Sequence, residues 1–183
     1  MITPFPKQVE IVDQMVADLK ARQYSFQVIG MRSGKTAMAY MLAARKDYNL
    51  VVMLGNEPTA SRKHLGDMLC HNLGVSPTVR IEYSTQYIMH ELVGDALVVM
   101  NEALFTRGSY EQFKTLREIG CHVVVLTSLG PEFEDDPRWK ELEWRSYATW
   151  HVNPNLGRDS ELMKKMFAEN PEKAARDYGA LTL

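Results

Sequence analysis

The sequence lacks the features that stabilise small secreted domains or insert a chain into a membrane. Its two cysteines, Cys70 and Cys121, stand in no C-x-x-C or zinc-ligand spacing, so we expect the reduced thiols of a cytoplasmic protein. No apolar run approaches the ~20 residues that a membrane-spanning helix needs, and the N-terminus has no basic-then-apolar signal layout. The 183 residues fit one domain with a sizeable core, and we expect no membrane contact.

The chain also lacks an excess of positive charge and a metal-binding histidine motif. Its net charge of −2 argues against a protein that coats DNA, although a few local residues can still contact DNA. His90 begins an H-E-x-x-H pattern, but Gly94 stands where the second histidine is required. The histidines therefore give no metal-site signal.

The most informative stretch is residues 24–39, YSFQVIGMRSGKTAMA. An apolar, β-prone run leads into a glycine loop and a Lys-Thr pair, and a helix-forming segment follows. This order is typical of a P-loop, or Walker A motif, in which consecutive N–H groups and a helix N-terminus bind phosphate. The predicted nucleotide-binding residues are Gly30, Met31, Arg32, Ser33, Gly34, Lys35 and Thr36.

Three of these residues have specific expected roles. Gly34 takes backbone angles that a side chain would forbid, Lys35 supplies a charge for the β- and γ-phosphates, and Thr36 supplies a hydroxyl ligand for Mg²⁺. The match to G-x-x-x-x-G-K-[ST] is imperfect, because Ile29 stands at the first glycine and Gly30 comes one place late. The strand before the loop and the helix after it favour a working P-loop over a chance match.

A second informative stretch is residues 95–107, DALVVMNEALFTR. Residues 97–100 form a predicted buried strand, and Asn101 and Glu102 follow at its carboxyl end, the Walker B position of P-loop ATPases. Glu102 is placed to orient the attacking water. Asn101 replaces the usual aspartate, so it would hold Mg²⁺ through water and less tightly. The alternative is a strand that simply ends in a solvated polar pair.

Two further candidate sites, Gln8 and the Thr127-Ser128 pair, each allow a functional and a purely structural interpretation. Gln8 begins a predicted amphipathic helix over residues 4–22, and it either reads adenine or faces solvent at the helix start. Thr127 and Ser128 end a predicted strand over residues 121–126. They either sense the γ-phosphate or terminate the strand in a turn.

Strands alternate with helices along the chain, which predicts an α/β fold with a mainly parallel sheet covered by helices on both faces. The P-loop on one strand and the Asn101-Glu102 pair on another indicate a RecA-like P-loop ATPase of the class with a catalytic glutamate. We expect residues 1–183 to form a single domain of this kind. Residues 144–151 are aromatic-rich and β-prone, and two helices are predicted after them.

Together these motifs resemble the ATPase domain of the large terminase subunit of tailed bacteriophages. The resemblance covers nearly the whole chain, from the PFPKQ opening and IGMRSGKT to VVMNEALF and VLTSLG. Its most discriminating part is the tail, ATWHVNPN followed by ENPEKAARDYGA, which is similar to the family's T-W-x-x-N-P stretch and R-D-Y/F-x-A ending.

The resemblance implies an ATPase that moves double-stranded DNA into a prohead, with ATP and Mg²⁺ bound at the P-loop. Gln8 would contact adenine, Glu102 would be the catalytic carboxylate, and Thr127 with Ser128 would couple hydrolysis to movement. Arg32 would be the arginine of the Walker A loop, although many members carry it one residue earlier. The family's nuclease half would begin about where this chain ends, so we expect no nuclease activity.

The resemblance also implies partners and a location. The family works as a pentameric ring on the portal protein, with a small terminase subunit, in the host cytoplasm and transiently docked on proheads. Ring contacts of such motors are weak without the portal, so we expect an isolated domain to be monomeric. Arg107 and Arg158 are candidates for an arginine that completes a neighbour's site. The alternatives are one RecA-like domain of a superfamily 2 helicase, and a nucleotide-binding assembly module with little hydrolysis.

Overall fold

A six-stranded sheet with every strand parallel to its neighbours forms the centre of the molecule. The structure is a computed structural model that describes residues 3–45, 48–54, 59–84, 96–101, 108–130 and 136–180. The strands are β1 (Tyr24–Ile29), β2 (Leu50–Leu54), β3 (Arg80–Ser84), β4 (Leu97–Asn101), β5 (His122–Thr127) and β6 (Arg145–Tyr147). Their order across the sheet is β3-β2-β4-β5-β1-β6.

Helices cover both faces of this sheet. They are α1 (Pro6–Arg22), α2 (Lys35–Arg45), α3 (Thr59–Leu73), α4 (Ser109–Glu118), α5 (Thr149–Val152), α6 (Glu161–Glu169) and α7 (Pro171–Gly179). Two short 3₁₀ helices span Pro137–Glu141 and Pro154–Leu156. The predicted α/β fold, consistent with the RecA-like class, is therefore confirmed. No helix within the described ranges is long and apolar enough to cross a membrane.

Strands β2, β4 and β5 are largely apolar runs because both of their faces are buried. In β5, Val124 and Leu126 pack into a core with α1, α2 and α3, whereas Val123 and Val125 pack into a second core with α4 and Trp139. All four β5 side chains are fully buried. Alternation between two cores is the arrangement expected for a parallel sheet with helices on both faces.

The topology places the ends of β1, β5 and β4 side by side. β5 lies between the other two strands, with Val28 opposite Thr127 and Asn101 opposite Leu126. Helix α2, which follows β1, packs on one face of the sheet, and α4, which follows β4, packs on the other face. Such a divergence opens a crevice at the carboxyl edge of a parallel sheet, which is where ligands bind in open α/β folds.

On α1 the sequence predicts an apolar stripe of Val9, Val12, Met15, Val16 and Leu19, which is correct in its centre and shifted at its sides. Val12, Met15 and Leu19 are buried as expected. Val9 and Val16 are only partly buried, because the helix is rotated so that its most buried face also carries Gln8, Ile11 and Asp18. A purely apolar pattern misses this face, since two of its residues are polar.

Asp18 is buried at the junction of α1, β1 and β6. Its carboxylate accepts hydrogen bonds from Ser25 Oγ at 2.9 Å, Gln27 Nε2 at 3.2 Å and Arg145 Nη1 at 2.7 Å, and it forms an ion pair with Arg22 at 3.0 Å. This network compensates the polar side chains that β1 presents toward α1, because buried polar groups need partners. It also fixes β6 on the edge of the sheet.

Residues 144–151 are β-prone in sequence, but only the first half of this segment forms a strand. Strand β6 ends at Tyr147, and α5 begins at Thr149 after the extended Ala148. The chain turns into a helix because Val152 packs into the core beside α1 and α2, which a further extended residue would not allow.

We predict that Asp18→Ala lowers the free energy of unfolding by about 2–4 kcal/mol, because two arginines and two buried polar side chains lose their acceptor. Urea unfolding measures this change. The matched control on the same helix is Asp13→Ala, which removes an exposed ion pair with Arg45 and should cost less than about 1 kcal/mol. Equal costs for the two variants would contradict the role assigned to Asp18.

Candidate functional site

A cavity of about 550 Å³ lies at the carboxyl edge of the sheet, directly beside the loop that follows β1. Its walls come from that loop, the start of α2, the ends of β2 and β4, and one side of α3. The lining residues include Arg32, Gly34, Lys35, Thr36, Tyr40, Met53, Leu54, Arg62, Tyr83 and Asn101. The cavity thus gathers four predicted P-loop residues and the predicted Walker B asparagine.

The loop has the alternating backbone of an anion-binding nest. Arg32 has φ of 60° and Gly34 has φ of 82°, both left-handed, whereas Ser33 between them does not. Alternation of this kind turns successive N–H groups toward one concavity. Arg32 is not a glycine, so its left-handed conformation costs roughly 1–2 kcal/mol and persists only because the surrounding structure holds it.

The first two predicted loop amides are used inside the protein. Gly30 N donates to Tyr147 O at 2.9 Å, and Met31 N donates to Asp177 O at 2.8 Å. The amides of Arg32, Ser33 and Gly34 have no acceptor among the described residues. The amides that could donate to a ligand therefore begin at Arg32 in this structure, two residues later than the predicted motif.

Lys35 is the most deeply placed of three cationic residues that line the cavity, beside Arg32 and Arg62. It is only 8% exposed, and its Nζ donates to the Ile29 carbonyl at the end of β1 at 3.1 Å. It also lines the cavity next to Thr36. A buried ammonium beside a helix N-terminus attracts an anion strongly, because little water screens it.

Two buried oxygens in this region have unused hydrogen-bonding capacity, and one of them, on Asn101, lines the cavity. Asn101 Oδ1 and Ser33 Oγ are buried and have no hydrogen-bond partner among the described residues. Asn101 lines the same cavity as Thr36, so its amide oxygen can accept from a metal-bound water while the Thr36 hydroxyl approaches the ion. Oxygen ligands and retained waters are what Mg²⁺ prefers, and the residues present therefore fit Mg²⁺.

Gln8 is buried against the loop. Its Oε1 accepts from Phe5 N at 2.9 Å, and its Nε2 donates to Ser33 O at 2.8 Å. The solvent-facing alternative is wrong, since only 6% of the residue is exposed. The predicted contact with adenine stays a prediction.

The other predicted site residues that the structure describes do not line the cavity. Thr127 is fully buried and its Oγ1 accepts from Leu129 N at 3.3 Å, and Ser128 is also buried. Both end the strand between β1 and β4, but neither is among the cavity-lining residues. Glu102 and Arg107 lie outside the described residues. Arg158 is exposed, and its guanidinium lies 5.7 Å from the ring centre of Trp150.

Sequence reasoning missed a polar cluster at the far wall of the cavity. The hydroxyls of Tyr40 and Tyr83 are 2.6 Å apart, Arg62 Nη1 donates to Met53 O at 3.1 Å, and the Arg62 guanidinium lies over the Tyr83 ring. Burial, with the Tyr83 hydrogen bond, raises the pKa of Tyr40, so its hydroxyl stays protonated. These residues come from α2, β3 and α3, and no periodicity links them.

The C-terminal tail packs directly against the loop. A Cβ atom at Gly30 would lie 2.3 Å from Tyr178 O and 2.4 Å from Thr149 Oγ1. The late glycine of the motif is therefore required by the tail, which leaves no room for a side chain. The sequence marked the tail as distinctive and assigned its residues no role.

Neither a metal-ligand cluster nor a known relative identifies the site directly. In the part of the chain that the structure describes, no group of three His, Cys, Asp or Glu side chains is placed to hold a metal ion. No protein-family model, curated protein or solved structure matches the chain. The chemistry of the site follows from its own geometry.

We predict that Gly30→Ala destabilises the protein by about 1–3 kcal/mol, because the new methyl group must displace backbone and a fully buried threonine. Thermal or urea unfolding checks this value. Gly157→Ala is the matched control, since a Cβ there meets no atom within 4 Å, and it should be close to neutral. A neutral Gly30→Ala would show that the tail does not pack as closely as described.

Proposed function

We propose that this chain is an ATP-hydrolysing motor domain of a viral DNA-packaging terminase, which couples ATP hydrolysis to translocation of double-stranded DNA into a prohead. The observation that carries the ATPase part is one cavity at the carboxyl edge of a parallel sheet, shared by Lys35, Thr36 and Asn101. Beside it lies a nest of three amides that have no acceptor among the described residues. This combination suits a polyphosphate with a hydrated cation.

Each residue has a defined task in this proposal. The amides of Arg32, Ser33 and Gly34 bind phosphate oxygens, and Lys35 neutralises charge on the β- and γ-phosphates. The exposed Arg32 side chain lines the cavity, where it can approach the terminal phosphate. Bound Mg²⁺ would neutralise developing charge on the same oxygens. Thr36 and Asn101 would hold it, Asn101 through a water.

Glu102 follows Asn101 directly, and we assign it the orientation of the attacking water. Thr127 and Ser128 end the strand between β1 and β4, so a shift at the terminal phosphate can reach the sheet centre through them. We assign this pair the coupling of hydrolysis to movement.

The terminase assignment, as opposed to a helicase domain, is supported by the tail. The T-W-x-x-N-P stretch and the R-D-Y-G-A ending, which carry the family resemblance, are the segments that contact the P-loop through Thr149, Asn153 and Asp177. The proposal includes double-stranded DNA, a portal protein and a small terminase subunit as partners. It also includes a homo-oligomeric ring on a prohead in the host cytoplasm.

A second candidate is a nucleotide-binding assembly module with little hydrolysis. Asn101 favours it, because a neutral amide beside the metal water holds Mg²⁺ less tightly than a carboxylate. Binding without turnover distinguishes this module from the motor.

We predict that the wild-type chain binds and hydrolyses ATP, and that Lys35→Ala abolishes detectable turnover and weakens ATP binding at least about tenfold. Phosphate release and calorimetry with Mg²⁺–ATP provide the two measurements. Lys20→Ala, at an exposed position of α1, is the control and should behave as wild type. Absence of ATP binding by the wild type would contradict the proposal.

Stimulation by proheads or portal protein separates the terminase from a helicase. If turnover of the wild-type chain rises when proheads carrying their portal are added, the packaging motor is supported. Binding without turnover even on proheads favours the assembly module instead.

We predict that Asn101→Asp lowers the Mg²⁺ concentration for half-maximal turnover about three- to tenfold, because a nearly isosteric carboxylate adds one negative charge near the ion. A magnesium titration of ATPase rate measures the shift. Asn49→Asp, at an exposed position beside the opposite end of β2, controls for the change in net charge. An unchanged titration would remove Asn101 from the metal site.

A further inference from the structure

Three consecutive carbonyl groups of the loop each accept a hydrogen bond from a distant side chain. Thr149 Oγ1 donates to Met31 O at 2.8 Å, and Asn153 Nδ2 donates to Arg32 O at 3.0 Å. Gln8 Nε2 donates to Ser33 O at 2.8 Å. We call Thr149, Asn153 and Gln8 the carbonyl clamp.

The planarity of the peptide bond turns these contacts into control of the amides. In a trans peptide, the carbonyl of one residue and the N–H of the next point in opposite directions. Holding the carbonyls of Met31, Arg32 and Ser33 against the clamp therefore turns the N–H groups of Arg32, Ser33 and Gly34 away from it. Those are the three amides that have no acceptor among the described residues.

We infer that the carbonyl clamp is a set of positioning residues that orients the phosphate-binding amides before the ligand arrives. This inference rests on the proposed polyphosphate site and adds residues that need not touch the nucleotide. Orientation in advance increases affinity, because the ligand does not have to order the loop itself. It also explains how Arg32 remains left-handed, since the peptides on both sides of it are held.

The inference gives Gln8 a different task from reading a base. Both polar atoms of its amide are already bonded, one to Phe5 N and one to Ser33 O. Gly34 makes this approach possible, because a Cβ there would lie 2.6 Å from Gln8 Nε2. A residue that orients the loop affects every polyphosphate, whereas one that reads adenine affects only ligands with that base.

Variants can remove each donor while keeping the local structure. Thr149 is fully buried, and Thr149→Val keeps the shape of its side chain but deletes the hydroxyl. Thr149→Ser is the matched variant that retains the hydroxyl and loses only the methyl group. Asn153 also accepts from Asn155 N at 3.1 Å, and Asn153→Ser keeps a good cap there but is too short to reach the loop. Gln8→Met keeps the length of the side chain without its amide.

The test compares two probes, Mg²⁺–ATP and Mg²⁺ with inorganic tripolyphosphate, by calorimetry on the full chain. We expect each donor-deleting variant to bind both probes about three- to tenfold more weakly than wild type. Thr149→Ser should stay within about twofold of wild type. Measurements well below each variant's melting midpoint separate this effect from loss of folding, and Asn155→Ala serves as the exposed control.

The outcomes separate this inference from the proposed function. Wild-type affinity for both probes in Thr149→Val and Asn153→Ser would overturn the clamp. If Gln8→Met weakens ATP but leaves tripolyphosphate unchanged, Gln8 reads adenine and its place in the clamp is overturned. If tripolyphosphate binding follows the expected pattern but ATP is not hydrolysed, the clamp stands and the motor proposal fails. A wild type that binds neither probe overturns both.

Discussion

The parallel direction of the six strands is the constraint on which the rest of the structure depends. It brings every strand's carboxyl end to one edge, so that residues far apart in sequence, such as Lys35 and Asn101, border one cavity. It also requires a helix or a long connection after each strand, which covers both faces and excludes water from the sheet. What remains open to ligands is the crevice where the connections diverge.

The sequence predicts this fold well for a physical reason. Strands buried on both faces are continuous apolar runs, as in residues 97–100 and 121–126, and such runs between helical patterns are easy to recognise. The half-error at residues 144–151 occurs where an edge strand pairs on one side only. There, local propensity is weak and the packing of Val152 decides the conformation.

The candidate site is predictable only in part. Lys35, Thr36 and Asn101 follow strands in recognisable patterns, and the structure places all three on one cavity. Arg62 gave no signal, and Thr149 was noted only as part of the tail's family resemblance. Their contacts to β2 and to the loop depend on how helices pack. A hydrogen bond between residues more than a hundred positions apart leaves no spacing in a single sequence.

The residues of the tail that hold the loop are synthesised much later than the loop itself. The Met31 carbonyl and its donor Thr149 are 118 residues apart, and Arg32 and Asn153 are 121 residues apart. During synthesis, the loop and Gln8 therefore leave the ribosome long before Thr149 and Asn153 exist. A nascent chain that ends before Thr149 contains strands β1 to β5 but only Gln8 of the three clamp residues. The loop therefore has all of its side-chain supports only after the tail has been synthesised and packed.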